Sequence, residues 1–599
     1  MKKFFSLIKT KFKALTKKRM INSETYKATN IILTLAFPMF ICTVVEVIQM
    51  KGITKFIEFI FDKPSIFIFN LLIVSVIFFG ITFIAKRVHI ATAIVGISLT
   101  TASIVELFKF NTSGNHLILT DMKMAVNLGS ITKFAYIKIT PHLLFMVILL
   151  FAYLFAVYYF NPILKIKLRN RLMVSGVCAS AVFVMFFAPS IAMPVYSFFN
   201  VDTRMSGNAF SIKEKFDNNN LIAFLAQTTT EFMTNKVREP ENYNKEVVSE
   251  YLIDNDNNDD SFKKPNVICI MSEAFADFRR LEGLDIDPQA YAAFDRITNE
   301  GYKGTAIVPT FASFTVKTEF ELMFGLPVKS LRDPNMPQDL LLDRPQQTIP
   351  SYYSSLGYET SYIHTFWSGF YSRDKIYNNF GYDNMIFDDD LTVDVEEFRT
   401  YISDKTIFDQ IEKQLKETDS PAYIHTTTMQ NHQPYEPPID SNMTELEYYL
   451  EGVEDMLLNL EIFLDNLEKS GEPTIVMFIG DHYPCFKGEN SAYDQLNITS
   501  ETANQLYAQP YLLWNNFGDD MSEAPRHEIS TFYLPYVIMD IINAPTNDLI
   551  ETMQDKIYET PIYSTNYDEN TPNDEVLDMF TYDIILGEQY LDEVNNDWN

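Results

Sequence analysis

Five apolar stretches, at 31–49, 66–85, 89–108, 142–160 and 172–199, fill most of the first 200 residues. Each is about as long as a helix needs to cross the hydrocarbon core of a bilayer. A backbone in lipid must satisfy its own polar groups, so helices are the form these stretches predict. One such run alone also describes a buried core helix; five in regular succession do not. Cationic clusters fall at 2–19, 86–87 and 165–171, in alternate connections. The positive-inside rule then predicts a cytoplasmic N-terminus and, after five crossings, an extracellular remainder. The basic 1–19 segment is followed by an apolar run without signal-peptide form, which predicts an uncleaved anchor in the plasma membrane. Ser190, Ile191 and Ala192 are spaced like a cleavage site at the end of the fifth stretch.

Charge divides the chain at the same place. The first 200 residues carry 22 Lys and Arg against 6 Asp and Glu, leaving 26 against 72 for the rest. An acidic body of that size is a poor partner for nucleic acid, which needs clustered cations. Only Cys269 and Cys485 follow residue 200. Two cysteines make no disulfide framework, so this part must be held by its own core.

Residues 201–264 are polar, with a helix predicted at 242–253 and an acidic run at 254–260. That run opens like a calcium loop, but Asp259 stands where the loop needs Gly and Pro265 where it needs Glu, which predicts a solvated linker. From Pro265 strands and helices alternate. Strands are predicted at 266–272, 302–308, 359–363, 422–426 and 474–480, with helices at 346–356, 404–416 and 444–467. Short, mostly apolar strands suit a sheet buried on both faces, and the alternation predicts a doubly wound α/β domain whose ligands bind beyond the C-terminal strand ends.

Three places there carry chemistry. Thr315 stands between the 302–308 strand and an apolar helical pattern at Phe320, Met323 and Phe324, at a predicted helix start. A hydroxyl there meets exposed N–H groups and the positive end of the helix dipole, which suits a nucleophile that attacks phosphate; a plain capping threonine fits the same local pattern. Glu273 follows the first strand and Asp481 with His482 the 474–480 strand. A helix-start acid and a polar strand end are the structural alternatives. Together they suggest a divalent metal site, oxygen-rich enough to favour manganese or magnesium over a thiolate-type zinc site, with Thr315 as fourth ligand.

Glu273, the 315–321 run Thr-Val-Lys-Thr-Glu-Phe-Glu, His364, the 370–377 run Phe-Tyr-Ser-Arg-Asp-Lys-Ile-Tyr, the 431–435 run Asn-His-Gln-Pro-Tyr and the 480–482 run Gly-Asp-His stand in order behind the five stretches. In this the chain resembles the lipoteichoic acid synthase family of the sulfatase and alkaline-phosphatase superfamily. The resemblance implies a manganese-type ion held by Glu273, Thr315, Asp481 and His482, with Thr315 as nucleophile. It also implies that His364, Tyr371, Arg373 and His432 hold a phosphoglycerol head group. Three departures bear on acceptor choice: Ala312, Ser313 and Phe314 precede Thr315 where the family tends to small residues, Tyr371 stands where founding members have Trp, and the 483–486 run Tyr-Pro-Cys-Phe after the metal pair differs from members of established lipoteichoic role.

The side chains themselves agree. Arg373 offers a planar fork for two phosphate oxygens, or for an ion pair with Asp374 or Asp383. His432, in a loop beyond the 422–426 strand, is suited to handling a proton or a substrate oxygen. His364 follows its strand in the same way, whereas His425 lies within a strand and reads as packing.

The architecture expected is a five-helix transmembrane domain (1–200), a helical and acidic linker (201–264), an extracellular α/β sulfatase-like domain of alkaline-phosphatase type (265–550) and a C-terminal extension packed on it (551–599). The activity expected is metal-dependent transfer of phosphoglycerol from phosphatidylglycerol, through a phosphoglycerol-threonine, to a membrane-anchored glycolipid or glycopolymer such as lipoteichoic acid in a Gram-positive envelope. The alternatives are a phosphoethanolamine transferase or sulfatase on the same scaffold, and a non-catalytic scaffold for envelope assembly.

Overall fold

The computed structural model describes residues 23–119, 121, 139–160, 166–204, 208–234, 237–253, 262–332, 336–438, 441–486, 491–518, 521, 524–568 and 570–594. The basic 2–19 cluster and the acidic 254–260 run lie outside them. Helices Pro64–Ala85, Val88–Ser113, Pro141–Phe160 and Leu168–Phe187 are long and apolar enough to cross a membrane. The pair Ala28–Leu35 and Phe37–Gln49, bent by 41°, makes a fifth when taken as one span. The chain is thus a multi-pass membrane protein. Proline explains two differences from the expected stretches. The bend precedes Pro38, and the 172–199 stretch stops at Phe187 because Pro189 opens a separate helix, Pro189–Phe198. A short helix, Ile53–Asp62, lies between the first two spans, where the sequence suggested only a connection.

The segment after residue 200 is more than a tether. Helix Ala209–Thr234, interrupted at Asn220 (φ 53°, ψ 175°), sends Leu221, Ile222 and Phe224 into the apolar cluster of the membrane helices. It also buries an ion pair between Lys215 and Glu231, 2.8 Å apart.

Among the described residues the C-terminal part is built on ten strands: β1 (Asn266–Ser272), β2 (Tyr302–Ile307), β3 (Glu359–His364), β4 (Asn384–Ile386), β5 (Glu397–Phe398), β6 (Tyr401–Ile402), β7 (Ala422–Thr427), β8 (Thr474–Gly480), β9 (Ala508–Asn515) and β10 (Ile529–Ser530). Eight form one sheet in the order β10-β2-β9-β8-β1-β7-β3-β4, parallel at its centre with β9 antiparallel to both neighbours; β5 and β6 form a separate hairpin. Side chains alternate across a strand, so β1 sends Val267, Cys269 and Met271 into one core and Ile268 and Ile270 into the other. This is why the strand reads as an unbroken apolar run. Helices Asp404–Glu417 and Glu445–Ser470 cover one face; Thr315–Phe324 and Leu534–Ile541 cover the other. That second core runs on through Leu549, Leu577, Phe580 and Leu591. Cys42, Cys178, Cys269 and Cys485 are free thiols.

Candidate active site

Strand register brings the first pieces together. In the β1–β8 pair Ser272 lies opposite Gly480, so Glu273 and Asp481 leave adjacent strands side by side. Gly480 is needed there: a Cβ would overlap the Phe275 carbonyl. Asp481 Oδ1 accepts the Ala274 N–H at 2.7 Å, which ties the two strand exits. Candidate ligand atoms of Glu273, Asp481 and His482 all lie within 4.8 Å of one another, and the three side chains are buried. Thr315 is the first residue of its helix, with Phe314 rather than the threonine in the capping position. Its Oγ1 sits 3.5 Å from Glu273 Oε2, so the hydroxyl turns to the carboxylates instead of capping. Thr318, nearly one turn on, donates to the Asp481 carbonyl at 2.9 Å and fixes the helix to β8.

The electrostatics of this corner call for a cation. His482 Nδ1 lies 3.0 Å from the Tyr483 carbonyl and donates to it, so Nε2 presents a lone pair. That nitrogen faces Asp481 Oδ2 at 3.2 Å, an oxygen that receives no hydrogen bond among the described residues. Two lone pairs at that separation repel unless a proton or a metal ion lies between them. Burial and then the Asp481 charge push the Glu273 carboxyl well above its ordinary range, and burial raises Asp481 as well. Oxygens bound to one cation at about 2.1 Å stand roughly 3.0–3.4 Å apart, close to the Thr315–Glu273 distance. Three oxygen donors and one imidazole suit a hard divalent ion.

Arg373 is anchored differently from either sequence expectation. Its Nε and Nη2 donate to both oxygens of Glu319, at 3.0–3.2 Å, and both side chains are shut off from solvent. The fork is therefore spent on Glu319, not on Asp374 or Asp383, and Nη1 is the part turned toward His364 Nε2, 3.3 Å away. Glu319 also accepts from Tyr377 (2.5 Å), Thr427 (2.6 Å) and Tyr362 (2.8 Å). Burial is the largest influence and works against its charge, but Arg373 and the hydroxyl donors Thr427 and Tyr377 act together against it, and the carboxyl falls to about 2. Register sets His364 opposite Thr427, whose carbonyl accepts the Nδ1 proton at 2.8 Å. Burial and then Arg373 lower this imidazole to about 3, so it is neutral at physiological pH. Glu319 was not singled out from the sequence. The available signal was its position four residues after Thr315, on the same face of the helix.

His432 is oriented by Nδ1, which lies 2.7 Å from the Gln433 carbonyl; Tyr401, on the β5–β6 hairpin, adds a contact at 3.0 Å. Glu273, Thr315, His364, Tyr371, Arg373, His432 and His482 line one cleft, joined there by Cys485. His425 is buried within β7 and does not line it. Backbone strain gathers around the same cleft. Ala274 (φ 53°), Ala312 (62°), Phe314 (65°), Tyr371 (57°) and Ser372 (58°) all take the left-handed conformation. Each flanks Glu273, Thr315 or Arg373 in the chain, and strain of about 1–3 kcal/mol per residue is typical of sites over-determined by their surroundings.

Residues 265–544 match the family described as Sulfatase. The C-terminal part of the chain thus carries a sulfatase-family domain. Lipoteichoic acid synthase of Staphylococcus saprophyticus is 28% identical to it over 276 residues, 41% of this chain and 40% of that protein. A protein of Rhizobium meliloti, provisionally named for cyclic beta-1,2-glucan modification, is 25% identical over 299 residues, 46% of this chain and 45% of that one. The chain thus spans less than half the length of the curated relatives it matches. The fold is also similar to that of the Streptococcus pyogenes phosphoglycerol transferase GacH, solved with sn-glycerol-1-phosphate. That structure superposes with a TM-score of 0.50 at 18% identity, covering 60% of this chain and 98% of the other.

Proposed function

We propose that this protein transfers phosphoglycerol from phosphatidylglycerol to a hydroxyl of a membrane-anchored glycolipid or glycopolymer, on the extracellular face of the plasma membrane. In this reading residues 1–200 anchor the protein, 265–550 catalyse, and 551–599 brace the catalytic domain. Thr315 Oγ attacks the phosphorus, the bond to the glycerol oxygen of diacylglycerol breaks, and that oxygen leaves with a proton. Thr315 then carries phosphoglycerol as an ester. An acceptor hydroxyl attacks the same phosphorus in line, the bond to the Thr315 oxygen breaks, and the acceptor's proton passes through His432 or water to that oxygen, restoring the hydroxyl. His364 is neutral in this scheme and steadies Arg373, whose Nη1 and the Tyr371 ring meet the head group. A divalent cation, manganese or magnesium, held by Glu273, Thr315, Asp481 and His482, would neutralise phosphoryl charge and ease loss of the threonine proton.

The observation that carries this reading is the Thr315 hydroxyl, 3.5 Å from Glu273 Oε2 in a buried acidic corner at the floor of an Arg-bearing cleft. Relatives named as lipoteichoic acid synthase and phosphoglycerol transferase support it. A lipid donor and a lipid-linked acceptor also give the membrane helices a purpose, since tethering raises the local concentration of both. A threonine nucleophile weighs against the sulfatase alternative. The test is to incubate the full chain with manganese and labelled phosphatidylglycerol and to look by mass spectrometry for phosphoglycerol on Thr315. Equal diacylglycerol release by wild type and Thr315→Ala would remove the nucleophile assignment.

A further inference from the structure

The turn that leaves membrane helix Val88–Ser113 reaches the catalytic loop. Asn115 is buried, and its Nδ2 donates to Ser313 Oγ at 2.7 Å, two residues before Thr315. Gly114, at φ 70°, lies so close to Cys485 Sγ on the cleft wall that a Cβ there would force the thiol to shift. Lys109 stands 5.9 Å from the centre of the Phe314 ring, while its Nζ also donates to the His116 carbonyl (2.8 Å) and to Asp121 (2.6 Å). The turn is stiff in its own right. His116 is stacked between Phe110 (4.5 Å) and Phe216 (3.8 Å) and bonded through Nδ1 to buried Glu106 at 2.6 Å. The next segment grips the other flank: Phe210 packs on Phe311 at 5.3 Å, and Glu214 accepts the backbone N–H and the hydroxyl of Ser500.

What these contacts hold is a loop that would not choose its own shape. Ala312 and Phe314 are both left-handed without being glycine. Such residues persist only where surrounding structure over-determines them, and here part of that structure is the membrane domain. We propose that Asn115 is a positioning residue for the transfer reaction, holding the 312–314 loop in the conformation that presents the Thr315 hydroxyl. The inference rests on the phosphoglycerol-transfer reading. It makes the site incomplete without the membrane helices, for a reason separate from delivery of lipid.

The experiment uses the full chain in lipid nanodiscs containing labelled phosphatidylglycerol, with diacylglycerol release followed at several donor densities. Asn115→Ala is expected to lower kcat about 10- to 100-fold, as small misplacements of a reacting group do, and to leave KM within about 2-fold, a span that a few tenths of a kcal/mol cover. Asn115→Asp, which can accept the Ser313 hydroxyl proton, should recover most of the rate. Ser313→Ala removes the same bond from the other side, and the double variant should lose no more than Asn115→Ala alone. Wild-type kcat in Asn115→Ala, a loss confined to KM, or additive losses in the double variant would each overturn the proposal. Should Asn115→Ala not purify as a single species, a wild-type kcat in Ser313→Ala overturns it equally. No Thr315-dependent release by wild type would instead sink the transfer reading itself, so the two failures are distinguishable.

Discussion

Glu319 holds both Nε and Nη2 of Arg373, a residue 54 positions downstream, inside a pocket closed to solvent. Glu319 shares a helix with Thr315, so the proposed nucleophile and the Arg373 guanidinium facing the cleft are set by one rigid element. Three hydroxyls complete the carboxylate's coordination, which leaves Glu319 nothing to offer substrate and makes it a support.

Removing one partner of such a pair strands the other as a buried charge, which costs about 3–5 kcal/mol. Glu319→Ala is therefore expected to lower the unfolding free energy by about that amount and to abolish transfer. Combining it with Arg373→Met should recover part of the stability but none of the activity. Denaturant unfolding of the three variants checks this; strictly additive losses would mean the two side chains do not act as a pair.

Much of the site was legible because the motif residues follow strands directly: Glu273 after β1, and Asp481 with His482 after β8. Parallel pairing in register then brings them together without further information. The apolar β1 and β8 runs were equally readable from composition, whereas the breaks near Pro38 and Pro189 fall inside stretches that read as unbroken. What was not readable came from long-range contacts. Glu319 looked like one more acidic residue on a helix, and only tertiary packing against β3 and β7 reveals its four partners, Arg373, Tyr362, Tyr377 and Thr427. The left-handed residues carry no sequence signature, since alanine and phenylalanine seldom adopt that conformation. Helix Ala209–Thr234 looked like linker because its polar residues, Lys215 and Glu231 among them, satisfy each other in a buried setting.

The acidic corner should respond to metal. Glu273 and Asp481 repel each other in a buried setting, and a cation binding only the folded state stabilises it by about 2.7 kcal/mol at a concentration 100 times Kd. Protein stripped with EDTA is expected to melt at lower temperature and to lose transfer, and added manganese should restore both. Asp481→Asn should flatten the manganese dependence of melting. An equal response in that variant would place the ion elsewhere.

His364 gives the fold an acid limit. Its folded pKa, about 3, lies below the ordinary 6.5. Between those values the unfolded chain takes up a proton that the folded chain refuses, so stability falls as pH drops from 6.5 toward 3 and is independent of this group above 6.5. Buried His425, lowered to about 4, acts in the same direction. His364→Gln should make the acid limb of a melting-temperature-against-pH curve shallower by on the order of one proton's linkage, with little change in slope above pH 7. An unchanged acid limb would show that His364 protonates freely in the folded state.

Strain at the catalytic loop gives the last expectation. Ala312 is buried at φ 62°, where glycine pays no steric cost. Ala312→Gly keeps the Ala312 N–H bond to the Tyr483 carbonyl and deletes only a methyl group. Left-handed backbone costs a non-glycine residue roughly 1–2 kcal/mol, while the added freedom of glycine in the unfolded chain returns about 0.5–1 kcal/mol of that. The variant should therefore be as stable as wild type or slightly more so, unlike most substitutions at buried positions. Its cost should fall on catalysis, because a looser loop presents the Thr315 hydroxyl less often in an attacking position. Unfolding and kcat measured on the same preparation decide it: a clear loss of stability with an unaltered kcat would mean that the loop stores no strain and needs none.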